Sequence, residues 1–438
     1  RAGPRGGAAG ATPRGSASRS AGRSAEFIEL SERYGAHNYH PLPVVISEAK
    51  GSWVKDPEGR KYLDMLSSYS ALNHGHRHPK IIRALVEQAK KVTLTSRAFH
   101  NDQIGPFLKE LCELSGFEMA LLMNSGAEAV ETAIKTARKW GCMRKGLAQE
   151  KAEIIACANN FHGRTISLIS FSTEAQYRRD FGPFTPGFKI VPYGDAQALR
   201  QAIGPDTVAF LAEPIQCEAG ILVPPPGYFR EVRRICDDAG ILLMFDEIQT
   251  GLGRTGRMFA FEHEGVRPDV LILGKALGGG VMPVSATLAS REVMGVYKPG
   301  DHGSTFGANP LACAVGRAAL KTLKAEKLVE RSRTLGERLV GRLRKIESPH
   351  IKEVRGRGLI VGIELHASAG GARRYCEALL REGMLCKETH EHVIRLAPPL
   401  TISAKEIDWA VSLLERTLKC PGPSARTSSP SRTSPPRS

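Results

Sequence analysis

The chain has 438 residues, of which 42% are apolar and 24% are charged. That length and composition exclude a very small stapled protein, a fully disordered chain and a coiled coil. The apolar runs are short, with residues 241–245 typical of the longest. None approaches the roughly 20 apolar residues needed to cross a membrane, so no membrane partner is expected.

The net charge of +16 is unevenly distributed. Residues 1–24 contain five arginines and residues 421–438 contain three, and neither segment contains an acid. The remaining body has 53 basic and 45 acidic residues, a mild excess of +8. It has no basic block interleaved with aromatic residues, so nucleic-acid binding is not predicted.

The two terminal segments have biased compositions. Residues 1–24 are rich in Arg, Ser, Ala and Gly and lack the apolar stretch of a secretory signal, which favours a transit-peptide-like disordered leader and a mitochondrial matrix location. A leader that carries no address is the alternative. Residues 421–438 are rich in Pro and Ser, which predicts a disordered tail.

Strand and helix patterns alternate through the middle of the chain. Apolar runs predict buried strands at residues 153–156, 207–212, 241–245 and 269–273, and amphipathic patterns predict helices at 128–140 and 228–238. This alternation predicts an α/β fold with a mainly parallel central sheet covered on both faces. Ligands of such sheets bind beyond the carboxyl ends of the strands.

The pattern changes after a long helical stretch that begins near residue 309. A strand at 354–365 and helices at 372–382 and 405–418 predict a smaller α+β domain. The predicted division is a leader at 1–24, an N-terminal arm and segment at 25–91, a large domain at 92–324, a small C-terminal domain at 325–420 and a tail at 421–438.

Two motifs are weak guides to function. Residues 251–256 read GLGRTG, but a polar stretch separates them from the preceding strand and no helix-start signal follows, so a turn-rich loop is predicted rather than a dinucleotide site. The histidines of residues 74–78, with His37 and His40, lack a zinc-binding pattern, which favours ordinary loop histidines over metal ligands.

Lys275 follows the predicted strand 269–273 and is flanked by small residues. A lysine in such a desolvated position favours the neutral amine, the nucleophile that forms a Schiff base. The alternative is a surface lysine in a glycine-rich loop.

Asp246 directly follows the five apolar residues 241–245. A buried carboxylate needs a partner, and the nitrogen of a pyridinium ring is one that would suit it. The alternative is a helix cap or a structural ion pair. Gln249, further along the same loop, could form a hydrogen bond with a phenolic oxygen.

Two further segments follow predicted elements of the same region. Ser125, Gly126 and Ala127 precede the helix 128–140, where exposed amides would cradle a phosphate, although a plain serine cap is equally compatible. Phe161 could stack on a planar ring and Arg164 could bind a carboxylate, with a simple turn as the alternative.

Five motifs together resemble one family. FDEIQTG, the lysine motif LILGKALGGG, NSGAEAVETAIKTARKW, FHGRT and GSTFGANPLAC are similar to segments of the class III, fold-type I pyridoxal-phosphate aminotransferases, and the resemblance runs from about residue 31 to residue 418. The segments YGAHNYHPLPV, LSSYSALNHGHRHPKI, LTSRAFHN and IRLAPPL further resemble the ornithine δ-aminotransferase branch.

This resemblance implies an activity and an assembly. The cofactor would be pyridoxal 5'-phosphate, and the enzyme would transfer the δ-amino group of ornithine to 2-oxoglutarate by a ping-pong route. The products would be glutamate and glutamate 5-semialdehyde, which cyclises to pyrroline-5-carboxylate. The active sites would be shared between the subunits of a homodimer or a higher homo-oligomer.

The resemblance also implies roles for single residues. Lys275 would bond to the cofactor and move the proton, and Asp246 would pair with the ring nitrogen. The other cofactor contacts would be Gln249 at the phenolic oxygen, Phe161 on the ring, Ser125, Gly126 and Ala127 at the phosphate, and Ser304 and Thr305 at the phosphate of the neighbouring subunit. The substrate contacts would be Tyr39 and Arg164 at the α-carboxylate of ornithine, Tyr69 shaping that pocket, and Arg395 at the α-carboxylate of 2-oxoglutarate or glutamate.

Glu218 would pair with Arg395 while ornithine is bound and so hide it from the wrong carboxylate. Cys217 stands where the family usually has glycine, and its side chain could disturb Glu218 or require a strained backbone.

Two other functions remain open at this stage. One is a different ω-aminotransferase of class III, acting on acetylornithine or 4-aminobutyrate. The other is a catalytically inactive homologue that serves as a binding protein, which predicts loss of the lysine or the aspartate, yet both are present.

Overall fold

The centre of the molecule is a seven-stranded sheet. The computed structural model describes residues 22–419. The strands are β1 Glu48–Lys50, β2 Trp53–Lys55, β3 Lys61–Asp64, β4 Met119–Met123, β5 Glu153–Cys157, β6 Phe188–Val191, β7 Thr207–Ala212, β8 Leu242–Asp246, β9 Val270–Leu273, β10 Ser285–Ala289, β11 Ile351–Arg357, β12 Ile360–Leu365, β13 Met384–Leu385, β14 Lys387–Thr389 and β15 Val393–Leu396.

The helices surround and connect these strands. They are α1 Arg23–Tyr34, α2 Ser67–Ser70, α3 Pro79–Ala89, α4 Ile104–Ser115, α5 Gly126–Arg144, α6 Ile166–Ser170, α7 Ala175–Arg178, α8 Ala196–Ala202, α9 Tyr228–Ala239, α10 Arg291–Met294, α11 Pro310–Ala325, α12 Leu328–Leu343, α13 Arg373–Arg381 and α14 Ala404–Lys419. Short 3₁₀ turns lie at Ala260–His263, Lys275–Gly278 and Ala367–Ala369.

The central sheet has the strand order β4-β10-β9-β8-β7-β5-β6. Only β10 runs against its neighbours, so the predicted mainly parallel sheet is confirmed. Alternate residues of β5 enter opposite faces: Ile154 packs on the side of α5, and Ile155 packs on the side of α9. Both faces are therefore apolar, which is why these strands read as continuous hydrophobic runs.

Two smaller sheets complete the α/β fold. The C-terminal sheet, β11-β12-β15-β14, is antiparallel throughout. The predicted single strand at 354–365 is wrong, because β11 and β12 form a hairpin that turns at Gly358, whose φ is +55°. The N-terminal sheet, β1-β2-β3-β13, takes its last strand from the C-terminal region.

The predicted domain boundaries stay a prediction. The pairing of β13 with β3 joins the predicted N-terminal segment, residues 25–91, to the predicted small domain, residues 325–420. Helix α1 begins at Arg23, inside the predicted leader. The disorder predicted for residues 1–21 and for residues 421–438 lies outside the described residues. Within the part of the chain that is described, no helix is long and apolar enough to span a membrane.

Candidate active site

The carboxyl ends of the parallel strands meet at one cavity of about 280 Å³. Six of the residues singled out from the sequence line it: Gly126, Ala127, Phe161, Asp246, Gln249 and Lys275. Asp246 is the last residue of β8, and Lys275 lies just past the end of β9. Neighbouring parallel strands therefore bring together side chains that are far apart in sequence.

Lys275 occupies a strained and desolvated position. Its φ of +42° lies in the left-handed region, which is uncommon for a residue with a side chain and clusters at functional sites. Burial lowers the pKa of Lys275, although the nearby carboxylates of Glu218 and Asp246 oppose the shift. The surroundings thus favour the neutral, nucleophilic amine.

Asp246 is held in place by two neighbours. Its Oδ2 lies 2.8 Å from Nδ1 of His162, and its Oδ1 accepts a hydrogen bond from the Ile248 amide at 3.0 Å. Both Asp246 and His162 are buried. Sequence reasoning missed His162, although its position in FHGRT, directly after a strand and Phe161, was a usable signal.

Glu213 is a second buried carboxyl in the cavity that sequence reasoning missed. It follows β7 directly, in the same way that Asp246 ends β8, so the same strand-end argument would have found it. Its Oε1 accepts a hydrogen bond from the Phe161 amide at 2.9 Å. Burial, reinforced by the charge of Asp246, raises the pKa of Glu213 well above its usual value.

The first turn of α5 forms one wall of the cavity. The Ser125 side chain accepts a hydrogen bond from the Glu128 amide at 3.2 Å, and the Glu128 carboxylate accepts one from the Ser125 amide at 2.6 Å. This capping box fixes the start of the helix, where amides face outwards and the helix dipole favours an anion. A Cβ atom at Gly126 would lie 3.0 Å from Cδ1 of Ile248, so glycine lets the helix approach the loop after β8.

An ion pair lies at the other end of the site. Nη1 of Arg395 donates to Oε1 of Glu218 at 2.6 Å, and Nε2 of Gln249 donates to the same oxygen at 3.0 Å. Burial opposes ionisation of Glu218, but the charge and hydrogen bond of Arg395 hold its pKa below its usual value. The Arg395 guanidinium also lies 4.6 Å from the centre of the Tyr69 ring. The predicted contact between Glu218 and Arg395 is therefore present.

Gln249 contacts Glu218 through its side chain. Its amide nitrogen is used by Glu218, whereas its buried Oε1 has no hydrogen-bond partner among the described residues. The predicted hydrogen bond between Gln249 and a phenolic oxygen stays a prediction.

Eight of the predicted residues do not line this cavity; Ser125, Tyr69, Glu218 and Arg395 are described above, and the other four are Tyr39, Arg164, Ser304 and Thr305. Arg164 is exposed and lies 4.0 Å from the centre of the Tyr177 ring, while Tyr39 is 69% exposed. Ser304 accepts a hydrogen bond from the side chain of Asn124 at 2.9 Å, and Thr305 is exposed. The single chain therefore leaves the predicted roles of Tyr39, Arg164, Ser304 and Thr305 untested.

Cys217 fits without the predicted disturbance. Its side chain is fully buried, its φ is not positive, and Glu218 keeps its ion pair with Arg395. Burial raises the pKa of the Cys217 thiol well above its usual value.

The glycine-containing stretch 251–256 and the histidines of residues 74–78 have ordinary structural surroundings. Residues 251–256 form turns that run into the 3₁₀ segment Ala260–His263. Nε2 of His74 lies 3.0 Å from the Ala319 carbonyl oxygen, His76 pairs with Asp64, and within residues 22–419 no cluster of three or more potential metal ligands occurs.

Comparison with known proteins reveals strong similarity along almost the whole chain. Residues 34–418 match the family described as aminotransferase class III. The chain is 60% identical over 397 residues to an ornithine aminotransferase of Bacillus subtilis (strain 168), covering 91% of this chain and 98% of that relative.

Solved structures give the same picture. The ornithine aminotransferase of Toxoplasma gondii ME49 matches with a TM-score of 0.89 at 45% identity, over 90% of this chain and 94% of that one. An acetylornithine aminotransferase from Elizabethkingia anophelis matches with a TM-score of 0.82 at 47% identity, over 90% of this chain and 98% of that one.

The mitochondrial matrix location predicted from residues 1–24 is wrong. The curated relatives at 58–60% identity are bacterial enzymes, and this chain covers 98% of their length. The composition of residues 1–24, which is acid-free and rich in Arg, Ser, Ala and Gly, did not by itself identify a targeting segment.

Proposed function

The chain belongs to the class III aminotransferases, and on that premise we propose that it transfers the δ-amino group of L-ornithine to 2-oxoglutarate. The products are glutamate and glutamate 5-semialdehyde, which cyclises to pyrroline-5-carboxylate. The two substrates use one site in turn.

The family depends on pyridoxal 5'-phosphate, and the residues of the cavity fit this group. A ring with a phosphate needs an amine, a carboxylate for its nitrogen and an anion site, and Lys275, Asp246 and the first turn of α5 line one cavity of about 280 Å³. When bound, this cofactor withdraws electrons from the carbon that carries the substrate amine, so that carbon loses a proton readily.

The chain's own residues then have distinct tasks. Lys275, whose pKa is lowered by burial, would bind the cofactor and afterwards carry the proton at its Nζ. The Asp246 carboxylate would keep a proton on the cofactor nitrogen, and Phe161 would pack on the ring. Gly126 and Ala127 would hold the phosphate through their amides, with Ser125 as the cap.

The observation that carries the substrate assignment is the ion pair between Glu218 and Arg395. An enzyme that takes an ω-amine from one substrate and an α-keto acid as the other must keep a buried arginine from binding the wrong carboxylate. Glu218 masks Arg395 in the ornithine half-reaction and releases it to 2-oxoglutarate. In the ornithine half-reaction, Tyr39 and Arg164 hold the α-carboxylate of ornithine. Tyr69 shapes the pocket beside Arg395.

We further propose a homodimer, or a higher homo-oligomer, as the active assembly. Ser304 and Thr305 lie in a loop outside the cavity, next to Phe306, which is 57% exposed. That loop would reach the phosphate site of the neighbouring subunit. We also propose that each subunit consists of a large domain at 92–324 and a small domain at 325–420.

The test is a spectrum of the purified holoenzyme with one substrate at a time. Ornithine alone is expected to convert the lysine-linked cofactor to its amine form, and 2-oxoglutarate is expected to reverse the change. Faster conversion by N-acetylornithine or 4-aminobutyrate than by ornithine would contradict the substrate assignment. No conversion by any amine would indicate an inactive homologue.

Tyr39→Ile sharpens this test. The variant is expected to lose at least about tenfold in kcat/KM for ornithine, because a hydrogen bond to the substrate carboxylate is removed. Tyr34→Ile is the matched control, since Tyr34 lies on the same segment and is 75% exposed. Unchanged ornithine turnover in Tyr39→Ile would reject the role of Tyr39.

A further inference from the structure

Arg254 lies in the loop that follows β8, and its side chain is fully buried. All its guanidinium hydrogen bonds go to uncharged acceptors: the carbonyl oxygens of Leu359 at 2.8 Å and Pro398 at 2.5 Å, and Oδ1 of Asn73 at 2.5 Å. Burial lowers the pKa of Arg254 to about 9. A buried cation without a bonded carboxylate is costly, so its retention needs a reason.

The three acceptors lie on segments that also carry residues of the proposed site. Asn73 follows Tyr69 by four residues, and Pro398 follows Arg395 by three. Leu359 directly precedes β12, the strand that pairs with β15 and so with Arg395. Arg254 itself follows Gln249 by five residues on the cofactor loop. One side chain therefore joins the loop of Gln249 to the segments of Tyr69 and Arg395.

Other contacts lock the same junction. The Asn73 side chain donates to the Leu252 carbonyl at 2.9 Å, and the Leu400 amide donates to the Asn73 carbonyl at 2.9 Å. A Cβ atom at Gly358 would lie 2.7 Å from the carbonyl oxygen of Arg254, so the backbones are in close contact. These segments cannot slide past one another without breaking several bonds.

We propose that Arg254 is a positioning residue of the reaction: it fixes the end of β15 against the cofactor loop and thereby sets how tightly Arg395 holds the dicarboxylate substrate. The inference rests on the proposed role of Arg395. The dicarboxylate would bind Arg395 through short hydrogen bonds, and a displacement of the guanidinium by about 1 Å would weaken them. Arg254 does not line the cavity, so its loss is expected to alter binding more than chemistry.

The test compares the two half-reactions of the Arg254→Met holoenzyme. The KM for 2-oxoglutarate is expected to rise about tenfold or more, while the rate of the ornithine half-reaction stays within about threefold of the wild type. The KM of Arg254→Lys for 2-oxoglutarate is expected to lie between the values of the wild type and Arg254→Met, since a lysine offers hydrogen-bond donors without the planar fork of arginine.

Arg331→Met is the matched control. Arg331 donates to the carbonyl oxygens of Leu400, Thr401 and Ile402, further along the same stretch as Pro398. A purely structural role predicts a lower melting temperature for both variants and an unchanged KM. A KM for 2-oxoglutarate within about twofold of the wild type in Arg254→Met would overturn the proposal.

Two further variants make the result decisive. If Arg254→Met does not fold, Asn73→Ala keeps Arg254 but removes one acceptor, and about a threefold rise in KM is expected; no rise would overturn the proposal. Arg395→Lys distinguishes a failure of the proposed role of Arg395 from a failure of the proposed role of Arg254. If it leaves the KM for 2-oxoglutarate unchanged, the role of Arg395 fails, whereas a raised KM there with an unchanged one in Arg254→Met rejects only the role of Arg254.

Discussion

Lys275 has an energetic cost that depends on pH. Because burial lowers its pKa, the unfolded chain binds the Lys275 proton more tightly than the folded chain does, up to the usual value of 10.5. The destabilisation is therefore fully present below the folded-state pKa and fades as the pH approaches 10.5. The protein without cofactor folds despite this destabilisation, and the same burial favours the neutral amine that the reaction needs.

Lys275→Met should remove that cost. In protein stripped of cofactor, we expect the variant to be more stable than the wild type at pH 7, with the difference shrinking as the pH rises towards 10.5. Denaturant unfolding at several pH values measures it. Lys109→Met, at a lysine whose side chain is 74% exposed, serves as the control and should show no such trend. A difference independent of pH would contradict the argument.

His162 should act through Asp246. His162→Leu leaves a buried carboxylate without its imidazole partner, and we expect kcat to fall at least about tenfold, which corresponds to roughly 1.4 kcal/mol. His162→Asn places an amide nitrogen near the position of Nδ1 and should recover part of the loss. Steady-state kinetics on cofactor-saturated enzyme measure both, and equal kcat values in the two variants would show that this hydrogen bond is unimportant.

At the scale of elements, helix α12 packs unusually close to the β11–β12 turn. A Cβ atom on Gly336 would lie 2.2 Å from the carbonyl oxygen of Gly358, whereas one on Gly341 of the same helix would meet nothing within 4 Å. A Cβ atom on Gly358 would in turn lie 2.4 Å from the carbonyl carbon of Thr255 and 2.6 Å from the amide nitrogen of Gly256. This helix therefore supports the junction beneath the site.

Two alanine variants of α12 should have opposite effects. Gly336→Ala overpacks the contact and is expected to lose about 1–3 kcal/mol in the free energy of unfolding. Gly341→Ala restrains an exposed helical residue and is expected to gain about 0.5–1 kcal/mol. Thermal or denaturant unfolding of both variants decides, and a neutral Gly336→Ala would mean that the helix can move away from the turn.

The strands that carry the site were predictable because their chemistry is local. Four buried runs and the side chains after them located Asp246 and Lys275, since parallel strands end at one edge. The hairpin at 351–365 was missed, although Gly358 turns the chain at the polar, glycine-containing stretch 355–358, which is itself a turn signal. Glu213 and His162 follow the rule used for Asp246, but Arg254 depends on contacts with residues far away in sequence.

At the scale of the whole molecule, the charge of +16 says little about function. Half of it lies in residues 1–24 and 421–438, most of which are outside the described chain, and the body contributes the other half. The positive groups that matter for the proposed function are three side chains in or beneath the site: Lys275, Arg395 and Arg254.

A site shared between subunits makes a quantitative prediction. Lys275→Ala removes the cofactor lysine, and Thr305→Glu would repel the phosphate of the neighbouring subunit, so each homodimer should be nearly inactive. In a mixed dimer, one site has both defects, but the other combines a native Lys275 with a native Thr305. Random reassociation of equal amounts should therefore restore about a quarter of wild-type activity. If each subunit completed its own site, mixing the two variants would restore none, and that result would reject the shared site.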